Sequence, residues 1–139
     1  MAIYDYQIAA GHNNTAGLVN VEDIVPAGDR AFYPPSAYSS YNVGAIRLRL
    51  DGTAYTAGLP SVEWLFDVMT RAQWRYLQDT YTVGGNSHSG KVTIRTRDMD
   101  GTYSNYNAVM ILPRLVDLER NFTLYRRVIV RFIRLEAAV

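Results

Sequence analysis

The sequence predicts a mainly β fold, an antiparallel β-sandwich or barrel-like sheet with one flanking α-helix at about 70–81. Three observations carry that expectation. Apolar and polar residues alternate with a period of two in several segments, which is how strands covered on one face read. A single segment combines a helical apolar stripe with helix-capping residues. The strand-like segments do not alternate with helices, so a parallel α/β arrangement is not indicated.

Taken in order, residues 1–42 are short apolar pieces among turn formers: AAGHNNTAG, PAGDR and YPPSAYSSYN. Pro34-Pro35 and the Ser/Tyr tract predict an irregular N-terminal segment, natural as an inter-subunit arm. In VGAIRLRL (43–50), Ile46, Leu48 and Leu50 alternate with Arg47 and Arg49, a half-buried strand closed by the hairpin dipeptide Asp51-Gly52. SVEWLFDVM (61–69) places Val62, Trp64, Phe66 and Val68 on one face and Glu63, Leu65, Asp67 and Met69 on the other.

The helix is TRAQWRYLQDTY (70–81). Thr70 with Gln73 forms a capping box, and Trp74, Leu77 and Tyr81 make one stripe, so one face is buried against a sheet. After the loop 84–90, KVTIRTR alternates Val92, Ile94 and Thr96 against Lys91, Thr93, Arg95 and Arg97. YSNYNAVMILP ends at Pro113, and PRLVDLERN reads as a turn of helix or a loop. In LYRRVIVRFIRL, Val128, Val130 and Phe132 oppose Ile129, Arg131 and Ile133. The expected organisation is one domain over 1–139, with 43–139 as the β-sandwich core and its helix. The expected core is Trp64, Phe66, Trp74, Leu77, Val92, Ile94, Val128, Val130 and Phe132.

The 139 residues suffice to bury roughly two thirds of the unfolded surface. With 48% hydrophobic and 19% charged residues the chain belongs with folded proteins. A net charge of +1 gives no argument for a nucleic-acid or membrane partner. Thirteen of the fourteen basic residues are Arg, Lys91 being the only lysine, and there are 11 tyrosines. Arg and Tyr favour interfaces, where a planar fork or a rigid amphipathic ring makes contact at low entropic cost. The absence of cysteine excludes disulfides, zinc-thiolate sites and thiol nucleophiles. No apolar run approaches the roughly 20 residues of a membrane-spanning helix, and the N-terminus lacks a signal-peptide pattern, so use without secretion is expected.

Four groups are candidates for chemistry. Asp98-Met99-Asp100-Gly101 places two carboxylates beside a glycine, but Met99 lies between them and a calcium loop would need a closing Glu where Met110 stands. A hairpin turn explains the same residues. The glycine-rich loop 84–90 follows a helix, whereas a phosphate cradle precedes one. His12 and His88 lie in Gly/Asn/Ser surroundings with no nucleophile elbow in the chain. Arg95, Arg97, Arg126, Arg127, Arg131 and Arg134 alternate along two strands with acids nearby in sequence, which favours assembly contacts over nucleic-acid binding.

Residues 60–135 also carry a resemblance. The helix TRAQWRYLQDTY precedes GKVTIRTRDMDGTYSNYNAVMILP, and a terminal Val-x-Val-Arg-Phe-x-x-Leu strand runs from Val128 to Leu135. This arrangement is similar to the tail-tube subunits of bacteriophages with non-contractile, siphophage-type tails. The resemblance implies a β-sandwich with one helix, a homo-oligomeric, hexameric ring, and rings stacked into a tube that conducts DNA without binding it specifically. It implies other tail proteins as partners, a place in the virion tail after assembly in the host cytoplasm, no catalysis and no cofactor. Candidate interface residues are Arg95, Arg97, Asp98, Asp100, Tyr103, Tyr106, Arg126 and Arg131. Other readings are a distal-tail, tail-terminator or capsid-decorating protein, or a small β-barrel module binding nucleic acid or carbohydrate.

Overall fold

The fold is seen in a computed structural model that describes residues 6–26, 29–33, 35, 40–42, 45–57, 59–98, 101–115, 118–121 and 124–138. It is mainly β with one helix, and its antiparallel sheet curls into a half-barrel. Of the expected alternatives, the barrel-like sheet is the one adopted.

The centre of the sheet is a hairpin. Strands β7 (Ser89–Arg97) and β8 (Tyr103–Ile111) pair in continuous register from Ser89 with Ile111 to Arg97 with Tyr103. Strand β10 (Leu124–Ala137) lies between β8 and β6 (Ser61–Thr70). On the far side of β7 come β1 (Gln7–Ala10) and β2 (Val19–Asn20). Strand β3 (Ser40–Asn42) edges β6, and β9 (Glu119–Asn121) pairs with the start of β10. Among the described residues, strands β4 (Ala45–Leu48) and β5 (Ala54–Ala57) pair only with each other, as a two-stranded hairpin.

The inward face is one apolar cluster. Val62, Trp64 and Phe66 of β6 meet Val128, Val130 and Phe132 of β10, with Val92 and Ile94 of β7 and Ala108 and Met110 of β8 beside them. All nine residues expected in the core are buried, Trp74 the most exposed at 9%. Trp64 satisfies its indole N–H on Thr96 Oγ1 at 2.9 Å, which explains a threonine at a fully buried position.

Helix α1 (Arg71–Tyr81) lies against this cluster through Trp74, Leu77 and Tyr81. Its capping box is complete: Thr70 Oγ1 accepts from Gln73 N at 3.1 Å, and Gln73 Oε1 accepts from Thr70 N at 3.0 Å. Buried Gln73 also donates through Nε2 to the carbonyls of Arg30 and Ala31, and Trp74 Nε1 donates to Pro113 O at 2.8 Å. Burial, with Tyr76 adjoining, pushes the Tyr81 phenol well above its usual range, so it stays neutral. Beyond the helix, β7 starts close under its last turn: a Cβ on Gly90 would stand 2.0 Å from Tyr81 O. Only glycine fits that approach.

Strand β10 holds its buried face along a curve by two irregularities. Its buried residues are Tyr125, then Val128, Val130 and Phe132, then Leu135, so the alternation slips twice. Arg127 and Arg134, with φ of 53° and 57°, stand at the two slips. At the second, the register with β8 shifts by one residue between Ile133 and Glu136. An extra residue of this kind bends a strand and strengthens its twist. Opposite Arg127, β6 slips as well. Met69 is buried and Val68 only partly, so the expected single face through Val68 is corrected.

Two further expectations are corrected. The N-terminal segment is not an extended arm over its described part. β1 and β2 join the main sheet, and Tyr6, Ile8, Val21, Ile24 and Phe32 belong to the core. Burial of these apolar side chains in the same chain's interior holds the segment there. The strand expected to be half-buried in 43–50 stands off the sheet, with Leu48 and Leu50 exposed. Residues 43–44 and the Ile46 side chain lie outside the described residues.

Candidate functional site

The surface offers three features that could carry function: the β7–β8 turn with its arginines, the open edge of the sheet, and the free-standing β4–β5 hairpin.

In the first, Asp98 N donates to Thr102 O at 2.6 Å, Gly101 N donates to Asp98 O at 3.1 Å, and Gly101 has φ 89°. This is a hairpin turn. The Asp98 carboxylate accepts from Ser104 Oγ at 2.7 Å and from the Tyr106 hydroxyl, both within the same hairpin. Tyr106 and Tyr103 pack against the chain's own core, Tyr103 edge-on to Tyr6 at 5.4 Å. Arg95 donates to Asn105 Oδ1 at 3.3 Å across the strand pair, and Arg97 is part-buried opposite Tyr103. Asp100 and Met99 lie outside the described residues. Arg126 and Arg131 are exposed on β10, and Arg131 Nε lies 3.5 Å from Glu63 Oε1 on β6. That exposed pair contributes little to stability. The eight candidate interface residues therefore separate: four inward-tied members of the hairpin, Arg97 at its end, Asp100, and two exposed arginines on a neighbouring strand.

The second feature is β6. Strand β3 covers only Ser61–Glu63, and among the described residues no strand pairs with the outer side of β6 from residue 64 to 70. A row of backbone donors and acceptors at a sheet edge is a template for another strand.

The third is the β4–β5 hairpin. Arg49 N donates to Thr53 O at 2.8 Å, Gly52 N donates to Arg49 O at 3.0 Å, and Gly52 has φ 89°. Asp51 Oδ1 accepts from Thr53 Oγ1 at 2.7 Å and Thr53 N at 3.0 Å. Those bonds, the hydroxyl's foremost, hold the Asp51 carboxyl below its usual value.

Residues 11–14 form a clasp that sequence reading did not single out. On the outer face, Thr93 Oγ1 donates to Gly11 O at 2.8 Å. Asn13 N donates to Asn107 Oδ1, and Asn107 Nδ2 returns a bond to Asn13 Oδ1, both at 2.7 Å. His12 Nε2 lies 3.1 Å from Ala108 O, which gives this histidine a place in the clasp. A buried Thr93 beside Asn107 at its register partner was the signal available, and it needs the pairing to be seen. His88 is exposed in the loop before β7.

Among the described residues no group of three or more His, Asp or Glu side chains could hold a metal ion. The void inside the core measures about 10 Å³, room for at most one water. Shallow hollows open on the surface among the described residues. One of about 470 Å³ is walled by Gln7, Leu18, Val19, Asp23, Val25 and Tyr76. Another, of about 290 Å³, lies between the end of α1 and the start of β7, with Val83 and Lys91 in its wall. No helix among the described residues is long and apolar enough to cross a membrane. Comparison with known proteins finds no matching family, no matching curated protein and no matching solved structure.

Proposed function

We propose that this chain is a non-enzymatic, self-assembling structural subunit of the kind that builds the tail tube of a bacteriophage with a non-contractile tail. The observation that carries the reading is the unfinished sheet. Among the described residues no strand pairs with the outer side of β6 beyond Glu63, and backbone groups left so at the edge of a half-barrel favour pairing with a second copy. Copies arranged around an axis, each lending an edge, would complete a continuous β lumen. The helix, the long β7–β8 hairpin and the β10 strand follow one another in the order on which the resemblance rests, which supports the reading.

In this reading the partners are further copies in a ring, hexameric in the family resembled, then stacked rings and other tail proteins, with DNA passing and not held. Negative-stain imaging of the purified protein tests the proposal. Rings or tubes are expected; a monomer that persists at high concentration overturns it.

A further inference from the structure

We propose that the outer face of β6 and β10 docks on the same face of a second copy, a contact that does not use the β6 edge discussed above. Along this strand pair the charges are separated. Arg131 stands opposite Glu63, and Ile129 opposite Leu65. Arg127 falls opposite Asp67, between the paired positions Arg126 with Val68 and Val128 with Phe66. The bases therefore lie on β10 and the acids on the neighbouring strand, with two aliphatic side chains between them. Ile129, in the middle of the set, is 41% exposed.

Within the chain this charge pattern is only half used. Arg131 Nε reaches Glu63 Oε1 at 3.5 Å, whereas Arg127 and Asp67, both exposed, form no hydrogen bond or ion pair among the described residues. Arg127 also has φ 53°, a left-handed conformation that disfavours any side chain with a Cβ and that glycine adopts freely. Strain of that kind persists where the residue is used. Arg71 and Arg75 are equally exposed on α1, but there arginine suits the helix and no such cost arises.

The charge arrangement selects a second copy as the occupant. Turned about a two-fold axis running along the strands between β6 and β10, that copy lays its β6 over the first copy's β10. Arg127 then meets Asp67 of the second copy, Arg131 meets Glu63 and Ile129 packs on Leu65, each contact made twice. Excluding water strengthens the ion pairs. A polyanion such as duplex DNA would be drawn to β10 but would meet Glu63 and Asp67 about 5 Å away on the next strand.

The experiment mixes two charge-reversed chains, Arg127→Asp and Asp67→Arg, and reads their mass by analytical ultracentrifugation. Both positions are exposed, so each variant should keep the wild-type melting temperature. Alone, each sets like charges against one another across the contact and should raise the dimer dissociation constant about tenfold. Mixed, they restore both pairs and should form heterodimers with wild-type affinity, which a role within one chain would not do. Arg134→Asp, exposed and left-handed at φ 57° but beside Pro60 before β6 begins, should dimerise as wild type does. If either reversal unfolds the chain, Arg127→Gly relieves the backbone and should still weaken the dimer. Variants that self-associate like wild type, or a mixture that stays monomeric, overturn the contact. Loss of duplex DNA binding in Arg127→Asp with self-association unchanged also overturns it and assigns the face to nucleic acid. Rings that form undiminished from either variant sink this contact and leave the self-assembly reading standing. Heterodimers on mixing, from a wild type that forms dimers but no ring, do the reverse. A wild type that stays monomeric overturns both.

Discussion

Two hairpins of this chain share the triplet Asp-Gly-Thr at their turns, Asp51-Gly52-Thr53 and Asp100-Gly101-Thr102, and end in opposite surroundings. Each closes by the same pair of backbone bonds and each has its glycine at φ 89°. One pair of strands, β7–β8, lies in the middle of the sheet with Val92 and Ile94 fully buried. The other, β4–β5, stands off the sheet with its leucines in water. Turn chemistry reverses a chain; it does not decide where the hairpin goes. That is set by what its apolar face can reach. Strands β1 and β10 flank β7–β8, whereas among the described residues only β5 pairs with β4.

The comparison breaks most readily at Ile94. Ile94→Ala should cost about 3–4 kcal/mol of unfolding free energy, because a fully buried site loses both transfer energy and packing. Denaturant titration measures it, and a loss below about 1 kcal/mol would place β7 with β4 as a surface element. The glycines sharpen the contrast at smaller scale. A Cβ at Gly52 or Gly101 meets nothing within 4 Å, so alanine at either acts through the left-handed backbone alone, at about 1–2 kcal/mol. Gly101→Ala should lower global stability by that amount. Gly52→Ala should leave the global midpoint almost unmoved and speed amide exchange only within residues 45–57. Equal effects would mean that both hairpins fold as one unit.

The smallest effect follows from Asp51. Its folded-state value lies below the ordinary 3.8, so its contribution is complete above that value and is lost as pH falls through the lower one. Protection of the Thr53 amide should fall at that acid limit, and in Asp51→Ala, which lacks the acceptor, it should be low at every pH. An unchanged Thr53 amide in that variant would show that the side chain does not hold the turn.

Much of this was open to sequence reading, for local reasons. The capping box of Thr70 and Gln73, the turns at Asp51-Gly52 and Asp98–Gly101, and the alternation from Val128 to Phe132 each depend on residues close in the chain. What was hidden depends on distant partners. The turn-rich N-terminal segment contributes Tyr6 and Ile8 to the core because β7 lies beside it, and strands of four and two residues leave almost no periodic signal. Arginine at 127 and 134 gives no warning of a left-handed backbone, so the slips that carry Met69 and Leu135 inward could not be foreseen. The alternation in 43–50 was read as half burial, yet period two states only that a strand has two unlike faces. Of the candidate interface residues, Tyr103, Tyr106 and Asp98 were visible as polar or aromatic members of a hairpin, but their ties to Tyr6 and Ser104 were not.

The position of β10 has a consequence for the order in which the chain can acquire its shape. Among the described residues of the sheet, β6 and β3 connect to β8, β7, β1 and β2 only through β10. As the polypeptide emerges from a ribosome, the hairpin β7–β8 can close as soon as it is made, while β6 waits. Its Trp64 and Phe66 remain uncovered on the strand side until residues 128–132 arrive. Of the strands in this sheet, the one latest in sequence is the one that joins the two halves. Losing it would not shorten the sheet at an edge; it would leave two sheets with no seam between them.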